Sequence, residues 1–267
     1  MDAPDVLKRI AAYKSEEVQH LKSKTTIEDL RRHAATRPAP KGFEAAIQAS
    51  TGPALICEVK KASPSKGVIR EDFNPKEIAR AYDIGGATCL SVLTDGPGFQ
   101  GSKQIFSDVR NATDLPMLRK DFMLDPIQIA ESAAMGADCV LIILAMIDDQ
   151  TAQSLIAEAH NLGMDALIET HTEAELRRAI KMESSFIGIN NRDLRNFNTS
   201  LDTFRTLAKL APNHCTLIAE SGVFTREDIL DLAEHGAQGY LIGESLMRKD
   251  NILDATKWLS GSMVTRI

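Results

Sequence analysis

Eight short apolar runs of strand length recur at regular intervals along this 267-residue sequence, and this repeat constrains the fold more than any other feature. The runs are Ala54 to Val59, Cys89 to Leu93, Leu115 to Leu118, Cys139 to Leu144, Ala166 to Ile168, Phe186 to Ile189, Thr216 to Ala219 and Gly239 to Ile242. Segments with helical spacing separate them. Strands that are apolar on both faces are typical of a parallel sheet covered by helices. Eight such units predict a closed (β/α)8 barrel of the TIM type, with an open doubly wound sheet as the alternative.

Three helix starts carry a side chain able to cap the first turn, followed three residues later by Glu or Gln. They are Asn74 with Glu77, Asp125 with Gln128, and Thr172 with Glu175. In a capping box the first side chain accepts from the third backbone N–H, and the third side chain accepts in return. All three pairs predict helices that begin shortly after a strand.

About fifty residues precede the first strand, more than a barrel needs. We predict one domain, with a helical extension over residues 1–50 and the barrel over 51–267. Apolar residues in the extension fall on one face of a charged helix, at Leu7, Ile10, Ala11, Val18 and Leu21. Such a stripe packs against a core. Spacing alone leaves two alternatives open, a helix that covers an active site or one that plugs the bottom of the barrel.

Charge and hydropathy narrow the class of partner. The formal net charge is −6 and the pI is near 5.6, which argues against binding nucleic acid or an acidic membrane. The longest apolar run is too short to span a bilayer, and the N-terminus lacks the pattern of a signal peptide. We expect a cytoplasmic protein with a small-molecule substrate, as a monomer or weak homodimer. The widely spaced Cys57, Cys89, Cys139 and Cys215 predict buried thiols without disulfides.

Polar residues follow most of the predicted strands, at the end where barrel active sites form. They are Glu58 and Lys60, Lys120, Glu169, Asn190 and Arg192, Glu220 and Ser221, and Gly243 and Glu244. Because side chains alternate along a strand, Glu58 and Lys60 point the same way, towards the barrel interior. An internal ion pair without function is the alternative for any one pair. Burying so many charges for structure alone would be costly, which favours a catalytic site.

Small residues after the last two strands predict a phosphate site. Ser221-Gly222 follows the seventh strand and Gly243-Glu244-Ser245 the eighth, while Ser63-Pro64-Ser65 follows the first. Glycine lets backbone N–H groups approach an anion, and barrels commonly bind phosphate between these two loops. Each motif also occurs in ordinary turns, so the prediction depends on their occurring together.

Nothing in the sequence indicates a cofactor or a metal. The histidines, at positions 20, 33, 160, 171, 214 and 235, lack metal-ligand spacing and are interpreted as surface or cap residues, with only His171 placed to face a site. No phosphate-binding Walker loop or dinucleotide fingerprint is present. We therefore expect catalysis by side chains alone.

Several motifs resemble those of one family. They occur in the same order as in that family and extend across the whole predicted barrel. They are Ile56-Cys-Glu-Val-Lys-Lys-Ala-Ser-Pro-Ser-Lys-Gly67, Ser91-Val-Leu-Thr-Asp95 with Phe99-Gln-Gly-Ser102, Leu118-Arg-Lys-Asp-Phe122, Ile168-Glu169, Ile187-Gly-Ile-Asn-Asn-Arg-Asp-Leu194, Ala219-Glu-Ser-Gly222 and Leu241-Ile-Gly-Glu-Ser-Leu-Met247. The sequence is similar to the indole-3-glycerol phosphate synthases. One stretch departs from that pattern, because Gly96-Pro97-Gly98 stands where the family usually carries bulkier charged or aromatic residues.

The resemblance implies a lyase of tryptophan biosynthesis that closes, decarboxylates and dehydrates 1-(2-carboxyphenylamino)-1-deoxyribulose 5-phosphate. It implies that Lys120 is the acid in ring closure, and that Glu169 and Glu58 with Lys60 share the second acid and the base, in an order left open. The implied roles of Asn190 and Glu220 are to orient the substrate and to hold the lysines. Substrate contacts are implied at Ser63, Phe99, Phe122, Leu141, Arg192, Ser221, Gly222, Gly243 and Glu244, with Arg192 and Lys60 near the carboxylate. For Phe99, Phe122 and Leu141, plain core packing is the alternative.

Two other functions remain as alternatives. One is a sugar-phosphate isomerase like phosphoribosylanthranilate isomerase, which would use a cysteine and an aspartate at strand ends, whereas Cys57 lies inside the first strand. The other is a phosphate-binding barrel without catalysis, against which the presence of Lys120, Glu169 and Glu58 argues.

Overall fold

The computed structural model, which describes residues 5–262, is a closed barrel of eight parallel strands with helices between them. The barrel strands are β1 (Ala54–Val59), β2 (Cys89–Leu93), β3 (Met117–Lys120), β4 (Cys139–Ile143), β5 (Asp165–Thr170), β6 (Phe186–Asn190), β7 (Thr216–Glu220) and β8 (Gly239–Ile242). Each strand pairs in parallel with its sequence neighbours, and β1 closes the barrel against β8. The predicted (β/α)8 architecture is confirmed, and the alternative of an open sheet is wrong.

Three helices precede the barrel and nine more follow its first strand within the described residues. They are α1 (Asp5–Lys24), α2 (Ile27–Ala34), α3 (Phe43–Gln48), α4 (Pro75–Ile84), α5 (Lys103–Arg110), α6 (Pro126–Met135), α7 (Asp149–Asn161), α8 (Glu173–Lys181), α9 (Asp202–Leu207), α10 (Arg226–Glu234), α11 (Glu244–Met247) and α12 (Ile252–Ser260). A short 3-10 helix, Ala208–Leu210, extends α9, and a small hairpin after β1 pairs Ala62–Ser63 with Gly67–Val68. No helix among residues 5–262 is long and apolar enough to cross a membrane.

Alternation along the strands divides the apolar residues into two cores. On β1, Ala54 and Ile56 face a cluster inside the barrel, together with Leu118, Leu141 and Leu241. Their neighbours on β1, Leu55, Cys57 and Val59, belong to the larger cluster between the strands and the surrounding helices. The same alternation continues to Glu58, which therefore shares the inner face of the barrel.

Strand β3 is displaced from its predicted position of Leu115 to Leu118. It begins after Pro116, which has no N–H to donate to the sheet, and runs on through Arg119 and Lys120. Both charged residues are paired in the fold: Arg119 bonds Glu131 at 3.0 Å in the outer layer, and Lys120 points inward. A search for apolar runs misses Arg119 and Lys120 because both are charged, and the carboxylates that pair with them lie on other elements.

The two alternatives for the N-terminal extension both occur, in different helices. Helix α3 closes the amino end of the barrel, where Phe43 packs on Phe186, the first residue of β6, with ring centroids 6.2 Å apart. Helix α1 lies at the opposite end, where Val6, Leu7 and Ile10 line a cavity. The extension therefore both plugs the bottom and covers the top.

The predicted helix starts are found, although only one forms a complete capping box. Asp125 and Gln128 bond reciprocally at the start of α6. At the starts of α4 and α8 only the cap side chains, Asn74 and Thr172, accept from the third backbone N–H. At α8 the Glu175 carboxylate accepts instead from the His171 backbone N–H. The four cysteines are free and buried, as predicted.

Candidate active site

A cavity at the carboxyl ends of the strands brings together every residue that the sequence predicted for the site. Its lining includes Glu58, Lys60, Lys120, Glu169, Asn190 and Glu220, and also Ser63, Phe99, Phe122, Leu141, Arg192, Ser221, Gly222, Gly243 and Glu244. The chain delivers them from all eight strands or from the loops that follow. The closed barrel explains this convergence, because all parallel strands end on the same rim.

The centre of the cavity is a cluster of three ionisable residues, Lys120, Glu169 and Glu220, which we call the catalytic cluster; the two carboxyls are buried and the Lys120 side chain is 14% exposed. The Lys120 ammonium lies 3.1 Å from Glu169 Oε2 and 2.9 Å from Glu220 Oε2. Burial alone would lower the pKa of Lys120, but the carboxylates of Glu169, Glu220 and Glu58 outweigh it and hold the pKa above its usual range. Lys120 is therefore a charged ammonium at neutral pH.

The two carboxyls of the catalytic cluster differ in pKa. Burial would raise the pKa of Glu169, but Lys120 and His171 outweigh it and hold that pKa well below the usual range. For Glu220 burial prevails over Lys120, and repulsion from Glu169 adds to it, so its pKa is raised. Two carboxylates around one ammonium favour sharing a proton. Glu169 is therefore the more acidic member of the pair, and Glu220 is the one that takes up a proton more readily.

A second ion pair, Glu58 and Lys60, lies beside the start of the last loop. Lys60 Nζ bonds to Glu58 Oε2, and both side chains are mostly buried. Gly243 leaves room for them, because a Cβ on this residue would lie 2.3 Å from Glu58 Oε2 and 3.0 Å from Lys60 Nζ. A glycine at this position is thus required by the neighbouring charges as well as by any ligand.

Gly188 in the middle of β6 has the same function for Glu220. A Cβ at Gly188 would lie 2.1 Å from Glu220 Oε1, closer than real Cβ contacts occur. The missing side chain creates the space in which Glu220 reaches Lys120. The sequence motif contained this glycine, but its reason is visible only across two strands.

Aromatic and aliphatic side chains form one wall of the cavity. The rings of Phe99 and Phe122 are 6.0 Å apart and tilted by 43°. Leu141 lines the same wall from β4, and Leu7 and Ile10 close it from α1. These contacts make a slot that suits a flat apolar group.

The loops that follow β1 and β6 contribute unpaired donors to the cavity. Ser63 Oγ and Arg192 Nε are buried without a hydrogen-bond partner among the described residues. Ser221 and Gly222 both have positive φ, at 61° and 81°, which turns the backbone sharply after β7. Buried donors without acceptors are costly, so this part of the cavity suits an anion.

Glu244, which begins α11, turns its carboxylate towards Arg248, whose Nε lies 2.9 Å from Oε1. Its other oxygen is 3.9 Å from Arg192, which also donates to Ser65 Oγ at 3.3 Å. Asn190 accepts from the Arg192 backbone N–H at 3.1 Å. These contacts connect the loops that follow β1, β6 and β8.

The interpretation of all histidines as surface or cap residues is wrong for His171. Its imidazole is buried beside the catalytic cluster, with Nε2 3.2 Å from Glu169 Oε1 and Nδ1 3.3 Å from Glu175 Oε2. The signal in the sequence was its position two residues after Glu169, which puts both side chains on one side of the strand end.

A buried ion cluster that the sequence did not reveal joins α1 to the rim. Lys14 is 1% exposed, and its ammonium lies 2.9 Å from Asp95 Oδ1 and 2.8 Å from Asp121 Oδ1. Tyr13 also donates to Asp95, at 2.8 Å. We call Lys14, Asp95 and Asp121 the α1 ion cluster. Its one signal was a lysine at helical spacing between Ile10 and Val18, on the face predicted to be buried.

The loop that departs from the family pattern packs closely on the loop after β1. A Cβ at Gly98 would lie 2.9 Å from Pro64 Cγ, and Phe99 O accepts from the Ala62 N–H at 3.3 Å. Glycine here permits the two loops to touch at the edge of the cavity.

Comparison with known proteins gives one consistent family. The family model described as indole-3-glycerol phosphate synthase matches residues 7–259. Proteins of that name from Zymomonas mobilis subsp. pomaceae and Rhodospirillum rubrum are 46% and 47% identical, over 96% of this chain and 98% and 99% of theirs.

Solved structures with similar folds are distant in sequence. A thiamine phosphate pyrophosphorylase from Pyrococcus furiosus aligns with a TM-score of 0.56 at 14% identity, covering 78% of this chain and 93% of its own. An N-acetylmannosamine-6-phosphate 2-epimerase from Clostridium perfringens aligns with the same TM-score and identity, covering 72% and 86%. These two likenesses show the barrel fold alone.

Proposed function

This chain belongs to the indole-3-glycerol phosphate synthase family, and on that premise we propose how its residues divide the catalytic work. The activity is a carbon–carbon lyase reaction of tryptophan biosynthesis. The substrate, 1-(2-carboxyphenylamino)-1-deoxyribulose 5-phosphate, forms a new ring and loses carbon dioxide and water to give indole-3-glycerol phosphate.

The two ends of the cavity support one orientation of the substrate. Its anilino ring fits the apolar slot of Phe99, Phe122 and Leu141. Its phosphate fits the opposite end, at the turns that contain Ser63, Ser221, Gly222, Gly243 and Glu244, with Glu244 contributing its backbone because its carboxylate would repel the anion.

Cations and an amide between these ends meet the remaining polar groups. Lys60 and Arg192 balance the substrate carboxylate, and Asn190 orients a sugar hydroxyl or that carboxylate. Fixing both ends brings the ring carbon that bears the carboxylate close to the ketone carbon.

Lys120 acts first, as the acid of ring closure. The ring carbon attacks the ketone carbon, and the ketone oxygen takes a proton from the Lys120 ammonium. Loss of carbon dioxide then restores the aromatic ring. The one observation that carries this proposal is the buried, charged Lys120 between Glu169 and Glu220, because the pair keeps the acid protonated and aimed into the cavity. Each lysine is held by a carboxyl group: Lys120 donates to Glu220, and Lys60 donates to Glu58.

Dehydration needs a second acid and a base. We assign the acid to Lys60, held by Glu58, which protonates the departing hydroxyl, and the base to Glu169, which removes the proton from the carbon beside the nitrogen. The low pKa of Glu169 supports the assignment, because a base must be ionised. Two protons are donated and one is recovered, so one proton is taken up per turnover, as loss of a carboxylate as carbon dioxide requires.

The test is turnover by the purified protein with the anilino-ribulose phosphate, without added metal or cofactor, followed by indole absorbance and carbon dioxide release. We expect both products in equal amounts. If neither appears the proposal is wrong, and binding without turnover would favour the non-catalytic barrel. The isomerase alternative would use a cysteine at a strand end, whereas Cys57 packs in the outer core and burial raises the pKa of its thiol.

A cytoplasmic location, a monomer or weak homodimer, and the lack of a nucleic-acid partner or cofactor stay predictions from the sequence. Sedimentation of the purified protein would test the predicted oligomeric state directly.

A further inference from the structure

His171 is a buried charged group that the mechanism above does not use. It follows β5 directly, and its side chain is 8% exposed. The imidazole is absent from the lining of the substrate cavity and lies behind Glu169. Any effect of His171 on the reaction therefore passes through Glu169.

Glu175 fixes the far side of the imidazole. Its Oε2 lies 3.3 Å from His171 Nδ1 and also accepts from the His171 backbone N–H at 2.7 Å. Thr172 caps the first turn of α8 by accepting from the Glu175 N–H at 3.2 Å, which holds Glu175 in place. The ring is thus located by a carboxylate that the helix start positions.

Two carboxylates make this imidazole a cation. Burial would lower the pKa of His171, but its contacts with Glu169 and Glu175 outweigh that and raise the pKa to about 10. His171 and Glu175 also line an open second cavity beside α1, whose other charged residues are Asp5, Lys8, Arg9, Arg192, Asp193 and Arg195. Four of these six residues are cationic and two are anionic. The two carboxylates in direct contact, Glu169 and Glu175, decide the charge of the ring.

Glu169 therefore has one cation at each oxygen, Lys120 at Oε2 and His171 at Oε1, 3.1 Å and 3.2 Å away. The first step of the mechanism removes one of these charges, because Lys120 donates its proton to the ketone oxygen. A neutral Lys120 no longer stabilises the Glu169 carboxylate, and dehydration still needs that carboxylate as a base. The remaining cation is His171.

We propose that His171, anchored by Glu175, is a positioning residue that keeps the Glu169 carboxylate ionised and oriented after Lys120 has donated its proton. This inference rests on the proposed function. It assigns His171 no contact with substrate, so its removal affects the dehydration step and leaves substrate binding unchanged.

The test compares His171→Gln with His160→Gln, which changes an exposed histidine on α7. Without the imidazolium the pKa of Glu169 rises. As the pH falls, the carboxylate is then protonated, and stops acting as a base, at a higher pH than in the wild type. We expect the acidic limb of the kcat profile to move up by about 1–3 pH units, the usual effect of one adjacent charge. KM stays near the wild-type value, and His160→Gln behaves as wild type.

A second readout identifies the step. On that limb, His171→Gln accumulates the ring-closed, decarboxylated intermediate that is one water heavier than product, detected by mass spectrometry after quenching. Glu175→Gln keeps the ring but removes its anchor, so it shifts the limb in the same direction by less. If His171→Gln does not fold, the profile of Glu175→Gln decides.

Unchanged profiles, or a loss of kcat that is equal at every pH, would overturn the inference and indicate a purely structural histidine. An inactive wild type would instead refute the proposed function, so the two failures are distinguishable.

Discussion

Single side chains in the catalytic cluster have charges that burial alone would oppose, and each depends on a specific neighbour. Lys120 remains protonated because of Glu169 and Glu220, and Glu169 remains ionised because of Lys120 and His171. A substitution in this cluster therefore changes the protonation state of a neighbouring side chain more than it changes packing. Variants of single residues therefore separate binding from chemistry.

Replacing Lys120 with Ala removes the group that we propose as the acid of ring closure. We expect kcat to fall by about 10²–10⁴-fold, the usual contribution of a positioned acid, with little change in substrate affinity. Steady-state kinetics with direct binding of product would measure both. Lys209→Ala, at an exposed position on the 3-10 helix, is the matched control. A near-normal kcat would remove Lys120 from its role.

Gly188→Ala tests the space that seats Glu220. The new methyl group would lie 2.1 Å from Glu220 Oε1 and push that carboxyl away from Lys120. A displacement of about 1 Å at a catalytic group can cost about 10²-fold in rate. We expect kcat to fall by that order while the protein stays folded by circular dichroism. Gly52→Ala is the control, because its nearest neighbour would be 3.8 Å away; equal kinetics for both variants would contradict the interpretation.

At the scale of elements, helix α1 is held at the rim by charge as well as by its apolar stripe. The α1 ion cluster joins it to the loops that follow β2 and β3, directly beside Lys120. Burial would lower the pKa of Lys14, but Asp121, Glu17 and Asp95 outweigh it and raise the pKa above its usual range. Helix α1, which lines the apolar slot, and strand β3, which carries Lys120, are thereby connected.

Lys14→Met should loosen this connection. The substitution leaves Asp95 and Asp121 without their shared cation, and breaking a buried pair typically costs about 3–5 kcal/mol of unfolding free energy. We expect a lower urea midpoint and a higher KM, since Leu7 and Ile10 no longer close the slot firmly. Lys24→Met, at the exposed end of α1, should change neither value. Equal midpoints for the two variants would show that the ion cluster does not stabilise α1.

For the whole molecule, the buried ionised groups make stability depend on pH at both ends of the scale. The pKa values of Glu169, Asp121 and Glu175 are all lowered in the fold, whereas that of His171 is raised to about 10. The raised pKa of Glu220 opposes the first three, which outnumber it. Folding therefore favours ionised carboxylates together with a protonated imidazole.

The direction in which each group changes stability with pH follows from the direction of its pKa shift. The three carboxylates stabilise the fold above their ordinary pKa near 4, and this contribution is lost as the pH falls further. The His171 contribution is complete below about pH 6.5 and is lost as the pH rises towards 10. We expect urea midpoints to be highest between these limits and to fall on both sides. A midpoint that stays constant from pH 5 to pH 3 would contradict the carboxylate part.

Patterns local to the chain were enough to predict the barrel and the positions of all its strands except β3. Apolar runs, turn residues and the alternation of side chains are short-range properties, so they are readable from neighbouring residues. The error at β3 arose where a charged residue, Arg119, continues a strand because its partner Glu131 lies on another element. The same limit applies to Lys14 and His171, whose partners are distant or lie around a turn.

The sequence by itself determined the architecture and the chemical types at the rim, because hydrophobic periodicity fixes which residues face the core and which strand ends carry polar groups. Only the tertiary structure decided which charge meets which. Lys120 lies a hundred residues from Glu220 along the chain, and its protonation depends on their separation of 2.9 Å. Coulomb energy depends on distance in space and on burial, and neither exists until the barrel closes.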